Sequence, residues 1–102
     1  MQIELPAERV AEFCRRWQIA ELAVFGSALR EDFRADSDLD LLITPGPGAK
    51  WSAFDLVHMS TEFARIAGRP VDVVSRRGLD ASRNYLRRRA ILESARTIYA
   101  AA

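Results

Sequence analysis

The spacing of hydrophobic residues predicts two amphipathic helices in the first two thirds of the chain. Apolar residues at i, i+3, i+4 and i+7 predict a first helix over roughly 6–17, with Cys14 on its buried side. A second stripe of this kind runs from Phe54 to Ala67, and the Gly68 that follows it is a residue type that commonly ends a helix. The apolar residues of the second stripe are Leu56, Met59, Phe63 and Ile66.

Three shorter apolar runs predict strands. They cover 22–25, 38–43 and 71–74, and the first of them stops at a glycine. Ser82 has the side chain of a helix N-cap, which predicts a third helix from there to about residue 90 or beyond. The tail, 97–100, fits either the end of that helix or a fourth, short strand. The order α-β-β-α-β-α predicts an α+β fold in which helices pack on a sheet.

Composition and charge narrow the class of protein. With 102 residues, 49% of them hydrophobic and 28% charged, the chain is expected to form one small globular domain over residues 1–102. A net charge of +1 offers no general attraction for nucleic acid, so direct nucleic-acid binding is not expected. The eight arginines from Arg69 to Arg96 form either a solvated helix face or a basic face for a partner.

The expected location is the cytoplasm. Cys14 is the only cysteine, which excludes an intrachain disulfide and fits a reducing compartment. No signal peptide is recognisable, and the longest apolar runs are far shorter than the ~20 residues that a membrane span needs. We therefore expect a protein without a membrane anchor.

Three aspartates in the predicted strands are candidates for chemistry. Asp38 and Asp40 are two residues apart, so their side chains point to the same face and repel each other unless a cation neutralises them. Mg²⁺ prefers oxygen ligands of this kind. Asp72 interrupts an apolar strand, where an unpaired buried carboxylate would cost several kcal/mol, and it completes a three-carboxylate site if that strand lies beside the second. The alternative is a polar solvent face on half-buried strands.

A glycine and a serine follow the first strand. Gly26 allows close approach of a phosphate, and the Ser27 hydroxyl and free backbone N–H groups of a following helix would donate to it. The alternative is an ordinary turn in which Ser27 caps a helix. Together with the three carboxylates, this turn predicts phosphoryl or nucleotidyl transfer, in which metal ions bridge a triphosphate.

The stretch from Phe25 to Leu42 closely resembles the Gly-Ser, Asp-x-Asp signature of the DNA polymerase beta nucleotidyltransferase superfamily. Its spacing and the small size of the chain resemble the minimal nucleotidyltransferases, the MntA-like (MNT) antitoxins. The resemblance implies a mixed β-sheet flanked by helices, ATP with Mg²⁺ as substrate, and release of pyrophosphate. It also implies a HEPN-domain ribonuclease toxin as partner, silenced when AMP is transferred to one of its tyrosines.

The resemblance also assigns residues. The implied nucleotide-binding residues are Gly26, Ser27, Arg30 and Ser37. The implied catalytic and metal-binding residues are Asp38, Asp40 and Asp72, the last of which is also the candidate base for the tyrosine hydroxyl.

Two other functions remain open. The chain would be a binding module if it neutralised the toxin by covering it, without catalysis. It would be a small-molecule nucleotidyltransferase if it modified a compound such as an aminoglycoside, although about 100 residues leave no second domain for an acceptor pocket. Because the core of so short a chain is small, we also expect an exposed apolar patch near the C-terminus, covered by a partner or by a second copy. The residues predicted for this patch are Ile91, Leu92, Ile98 and Tyr99.

Overall fold

The computed structural model of the chain describes residues 5–26 and 37–101. The helices in these ranges are α1 (Ala7–Arg16), α2 (Ala53–Ala67), α3 (Arg76–Asp80) and α4 (Tyr85–Ser94). The strands are β1 (Ile19–Phe25), β2 (Leu39–Pro45), β3 (Val71–Ser75) and β4 (Arg96–Ala100). The predicted α+β architecture is confirmed, and α3 and β4 complete it.

The strands form one four-stranded sheet in the order β3-β2-β1-β4. β1 runs antiparallel to both of its neighbours, whereas β2 and β3 run parallel. A parallel pair needs a crossover connection, and α2 supplies it between β2 and β3. The mixed sheet flanked by helices that the resemblance implied is therefore confirmed.

Two hydrophobic cores lie on opposite faces of the sheet, because successive side chains of a strand point to opposite sides. The first core, formed with α1 and α2, consists of Val10, Phe13, Cys14, Ile19, Leu22, Val24, Leu39, Leu41, Ile43, Met59 and Phe63. The second core, formed with α3 and α4, consists of Ala23, Phe25, Leu42, Leu79 and Ile91. β1 and β2 contribute to both cores, so they are the central strands in packing as well as in order.

The first core joins the two longer helices. The rings of Phe13 and Phe63 meet edge to face with centroids 5.1 Å apart, a favourable aromatic arrangement. Cys14 is completely buried beside them, as its position on the helical stripe predicted. At the rim, the indole N–H of Trp17 donates to Glu62 across 2.6 Å, and Arg16 forms an ion pair with the same carboxylate.

The two ends of α2 are fixed by local hydrogen bonds. The Asp55 amide donates to the Ser52 hydroxyl and the Ser52 amide donates back to the Asp55 carboxylate, at 3.2 and 2.8 Å. Gly68 ends the helix in the left-handed conformation, with φ of 71°, and its amide donates to the carbonyl of Ala64. These caps determine where β2 leads into α2 and where α2 leads into β3.

The start of the last helix differs from the prediction. Asn84, not Ser82, is the N-cap of α4, because the Asn84 side chain accepts a hydrogen bond from the Arg87 amide at 3.1 Å. The Ser82 hydroxyl accepts instead from the Asn84 amide, which belongs to the preceding turn. The open question about the tail is also answered, since β4 pairs with β1.

The prediction of an exposed apolar patch near the C-terminus is wrong. Ile91 is only 6% exposed, and Ile98 and Tyr99 pack against the first core because β4 joins the sheet. Among the residues that the structure describes, the large hydrophobic ones that are exposed are Phe54 and Val57 of α2 and Tyr85 and Leu86 of α4. In the described ranges, none of the helices has the length and apolar character required to cross a bilayer.

Candidate functional site

The end of β1 and the beginnings of β2 and β3 meet at one end of the sheet. Phe25 is the register partner of Asp40, and Asp40 is in turn the register partner of Asp72. The Leu39 amide donates to the Pro70 carbonyl at 2.9 Å and extends the β2–β3 pairing to this end of the sheet. The prediction that the strand of Asp72 lies beside the strand of Asp40 is therefore confirmed.

Both aspartates lie on the face of the sheet that carries the second core. Leu39 and Leu41 belong to the first core, so the residues that alternate with them, Asp40 and Leu42, point to the other side. Asp72 is the neighbour of Asp40 on this face. Leu79 and Ile91 cover Leu42, but Asp40 is only half-buried and Asp72 is exposed. The carboxylates therefore lie where the helical cover of this face ends.

The burial expected for Asp72 is wrong. Its strand is at the edge of the sheet, and Asp72 is an exposed residue in it, so its polarity needs no explanation by a buried charge. Its register with Asp40 nevertheless places the two aspartates side by side. Asp38 is also exposed and lies immediately before β2, which begins at Leu39.

Gly26 approaches Asp40 more closely than its sequence position suggests. Its φ of +72° lies in the left-handed region, and a Cβ built on it would be 2.6 Å from Oδ2 of Asp40. The sequence motif predicts a phosphate turn and does not predict this close approach of Gly26 to Asp40. The pairing of Phe25 with Asp40 is the signal that reveals it, and it requires the strand register.

Of the other predicted nucleotide-binding residues, the structure describes only Ser37. Ser37 is half-buried just before Asp38 and β2. Ser27 and Arg30 lie outside the described residues. Arg69 is half-buried at the same end of the sheet, directly before Pro70, whose carbonyl accepts the hydrogen bond from Leu39. The sequence motif does not indicate this residue.

The carboxylates suit a magnesium ion that arrives with a nucleotide. Over residues 5–26 and 37–101, no three acidic, histidine or cysteine side chains are grouped closely enough to hold a metal by themselves. Mg²⁺ is usually held by one or two carboxylates together with substrate phosphates, so a preformed group of three is not required. Asp40 and Asp72, from adjacent strands, provide the hard oxygen donors, and Gly26 leaves space beside one of them.

Cys14 is not a candidate nucleophile. Burial raises the pKa of its thiol from 9.0 to about 12, opposed only in part by the nearby Arg15. The thiolate, which is the reactive form, is therefore scarce at neutral pH.

Comparison with known proteins identifies the family. A profile of the nucleotidyltransferase domain matches residues 8–98, which is nearly the whole chain. The chain belongs to the nucleotidyltransferase family. No curated protein sequence matches this nucleotidyltransferase.

Solved structures agree with this assignment. A protein assigned as a minimal nucleotidyltransferase is 33% identical to this chain, with a TM-score of 0.65, covering 88% of this chain and 86% of that one. A toxin–antitoxin protein crystallised with AMP-PNP superposes with a TM-score of 0.72 at 14% identity, covering 95% of this chain and 75% of that one.

A further match comes from Shewanella oneidensis. It belongs to a complex of a tri-AMPylated HEPN toxin with MNT antitoxin, with a TM-score of 0.64 at 12% identity and coverage of 93% and 70%. At such identity the likeness concerns the fold. The family and fold implied by the sequence motif are thus confirmed, and the chain is a nucleotidyltransferase of the minimal kind.

Proposed function

We propose that this nucleotidyltransferase is a cytoplasmic antitoxin that transfers AMP from ATP to a tyrosine of a HEPN-domain toxin, in a reaction that requires Mg²⁺. The observation that carries the proposal is the placement of Asp40 and Asp72 side by side on parallel strands next to Gly26. The similar toxin–antitoxin proteins, one with AMP-PNP and one with a tri-AMPylated HEPN toxin, support the choice of nucleotide and partner.

The residues at this end of the sheet have different roles in binding the nucleotide. Asp38 and Asp40 would hold Mg²⁺ together with the triphosphate, while Ser27, which follows Gly26 in the turn, would bind phosphate oxygens. Arg30 and Ser37 provide further phosphate contacts. When bound, Mg²⁺ supplies charge neutralisation on the triphosphate and on the leaving pyrophosphate.

The transfer itself needs a base for the tyrosine. The phenol oxygen attacks the α-phosphorus, the bond from that phosphorus to the bridging oxygen breaks, and pyrophosphate leaves with the electron pair. The phenol has a pKa near 10 in water, so its proton must be accepted during attack, and Asp72 accepts it. The exposure of Asp72 on an edge strand suits this role, because a tyrosine on another protein can reach it.

Intact mass spectrometry tests the reaction. The cognate HEPN protein is incubated with ATP, Mg²⁺ and this chain, and we expect its mass to increase by whole AMP units located on tyrosine. Asp72→Asn should slow the transfer by roughly 10²-fold or more while ATP still binds. Asp80→Asn, which removes an exposed carboxylate paired with Arg76, is the matched control and should transfer at the wild-type rate.

Calorimetry tests the nucleotide site separately. ATP binding should require Mg²⁺ and should weaken strongly when Asp38→Asn and Asp40→Asn are combined. Binding by this double variant that equals wild type and ignores Mg²⁺ would refute the site. A HEPN protein that binds tightly, loses its ribonuclease activity and gains no mass would instead establish the non-catalytic binding module.

A further inference from the structure

The Asp40 carboxylate lies too close to the position where any L-residue other than glycine at position 26 would carry its Cβ. A Cβ on Gly26 would lie 2.6 Å from Oδ2, 3.5 Å from Cγ and 3.8 Å from Cβ of Asp40. Real Cβ atoms essentially never approach another atom within 3.0 Å. The conflict is thus with the carboxylate group alone, because 3.8 Å to the Asp40 Cβ is an ordinary contact.

The backbone around Asp40 offers little room for adjustment. Asp40 lies on β2, an inner strand that pairs with β1 on one side and with β3 on the other. Its neighbours Leu39 and Leu41 are completely buried in the first core. A side chain at position 26 would therefore displace the carboxylate of Asp40, since β2 itself is held from both sides.

We propose that Gly26 is a positioning residue for Asp40: the missing side chain leaves the space in which the Asp40 carboxylate stands beside Asp72. This role differs from that of a phosphate turn, in which the glycine would serve the nucleotide directly. The consequence for magnesium and ATP rests on the proposed function, whereas the packing relationship between Gly26 and Asp40 does not.

Thermal unfolding of a double-mutant cycle tests the packing relationship. Gly26→Ala is made in the wild type and in the Asp40→Ala background, which removes the carboxylate and keeps the Cβ. Gly68→Ala is the matched control, because Gly68 has φ of +71° and no atom within 4 Å of a built Cβ. The control reports the cost of a left-handed alanine without a steric conflict.

We expect Gly68→Ala to lower the Tm by roughly 4–8 °C in both backgrounds, as left-handed strain in a domain of this size implies. Gly26→Ala should lower the wild-type Tm by clearly more, and by only the control amount when Asp40 is Ala. If Gly26→Ala alone does not fold, recovery of a folded protein by adding Asp40→Ala supports the proposal as well. An equal loss in both backgrounds, or no rescue, overturns it.

ATP affinity in Mg²⁺, measured by calorimetry on the same four proteins, separates the two roles of Gly26. If the glycine acts through Asp40, Gly26→Ala weakens binding roughly 10–100-fold in the wild type and has no further effect in Asp40→Ala. An equal additional loss in both backgrounds would assign Gly26 to the phosphates and overturn the positioning role. Wild-type protein that does not bind ATP refutes the proposed function, and the unfolding cycle still decides this inference.

Discussion

Replacing Asp72 by asparagine should stabilise the protein in the absence of metal. Asp72 and Asp40 are register partners on adjacent strands, and such strands lie ~4.8 Å apart. Two unit charges ~5 Å apart repel by ~0.8 kcal/mol in bulk water and by ~3 kcal/mol at the effective dielectric of a protein surface. Because Asp72 is exposed, the repulsion relieved is nearer the lower figure, about 1 kcal/mol.

This change is measurable by thermal unfolding. For a domain of about 100 residues, 1 kcal/mol corresponds to a shift in Tm of roughly 4–8 °C. Circular dichroism in EDTA and low salt should show Asp72→Asn melting several degrees above the wild type. In ~1 M salt, where the Debye length falls to ~3 Å, the difference should largely disappear.

Asp80→Asn is the control with the opposite sign. Asp80 accepts a hydrogen bond from the Arg76 guanidinium at 3.0 Å on the surface, so its removal should leave the Tm unchanged or lower it slightly. Addition of Mg²⁺ with ATP should then raise the Tm of Asp72→Asn by about as much as that of the wild type, because the variant still binds ATP. An Asp72→Asn protein that melts below the wild type in low salt, or equally far above it in high salt, would show that repulsion between the two aspartates is not what the substitution relieves.

Three further predictions concern the cores and the surface. Phe63→Ala removes a completely buried ring and its contact with Phe13, and it should cost roughly 3–5 kcal/mol in urea unfolding. Phe54→Ser should change the same measurement by no more than about 0.5 kcal/mol, because Phe54 is 79% exposed. The pKa of Cys14 is raised from 9.0 to about 12. The buried neutral thiol therefore contributes fully to the free energy of unfolding below pH 9, and this contribution is lost as pH rises toward 12. Between pH 8 and 10 the wild type should lose about 1 kcal/mol more than Cys14→Ala, and equal losses would contradict the raised pKa.

The sequence determines those elements whose burial pattern is repeated over several turns. The stripe of α2 was predicted to its last residue, because Met59 and Phe63 are buried and Gly68 caps the helix. The apolar runs around Asp40 and Asp72 predicted a strand for each aspartate, and the shared site was conditional on the pairing of those strands. Their adjacency required only that the two strands pair.

Other parts of the molecule depend on contacts that no local pattern contains. β4 has five residues and becomes a strand because it pairs with β1, more than seventy positions earlier in the chain. The same pairing draws Ile98 and Tyr99 against the first core. Ser82 and Asn84 are both good N-caps, and only the hydrogen bond from Arg87 distinguishes them. The contact between Gly26 and Asp40 likewise exists only once β1 and β2 are in register.

The position of β3 at the sheet edge has a consequence for the lifetime of the candidate site. In the sheet as described, β3 hydrogen-bonds to β2 on one side, so it can detach at a lower free energy than the inner strands. Each detachment separates Asp72 from Asp40. A ligand that requires both carboxylates binds only the form in which β3 is attached. Amide hydrogen exchange in β3 should therefore slow when that ligand binds, at ligand concentrations that do not yet change exchange in β1.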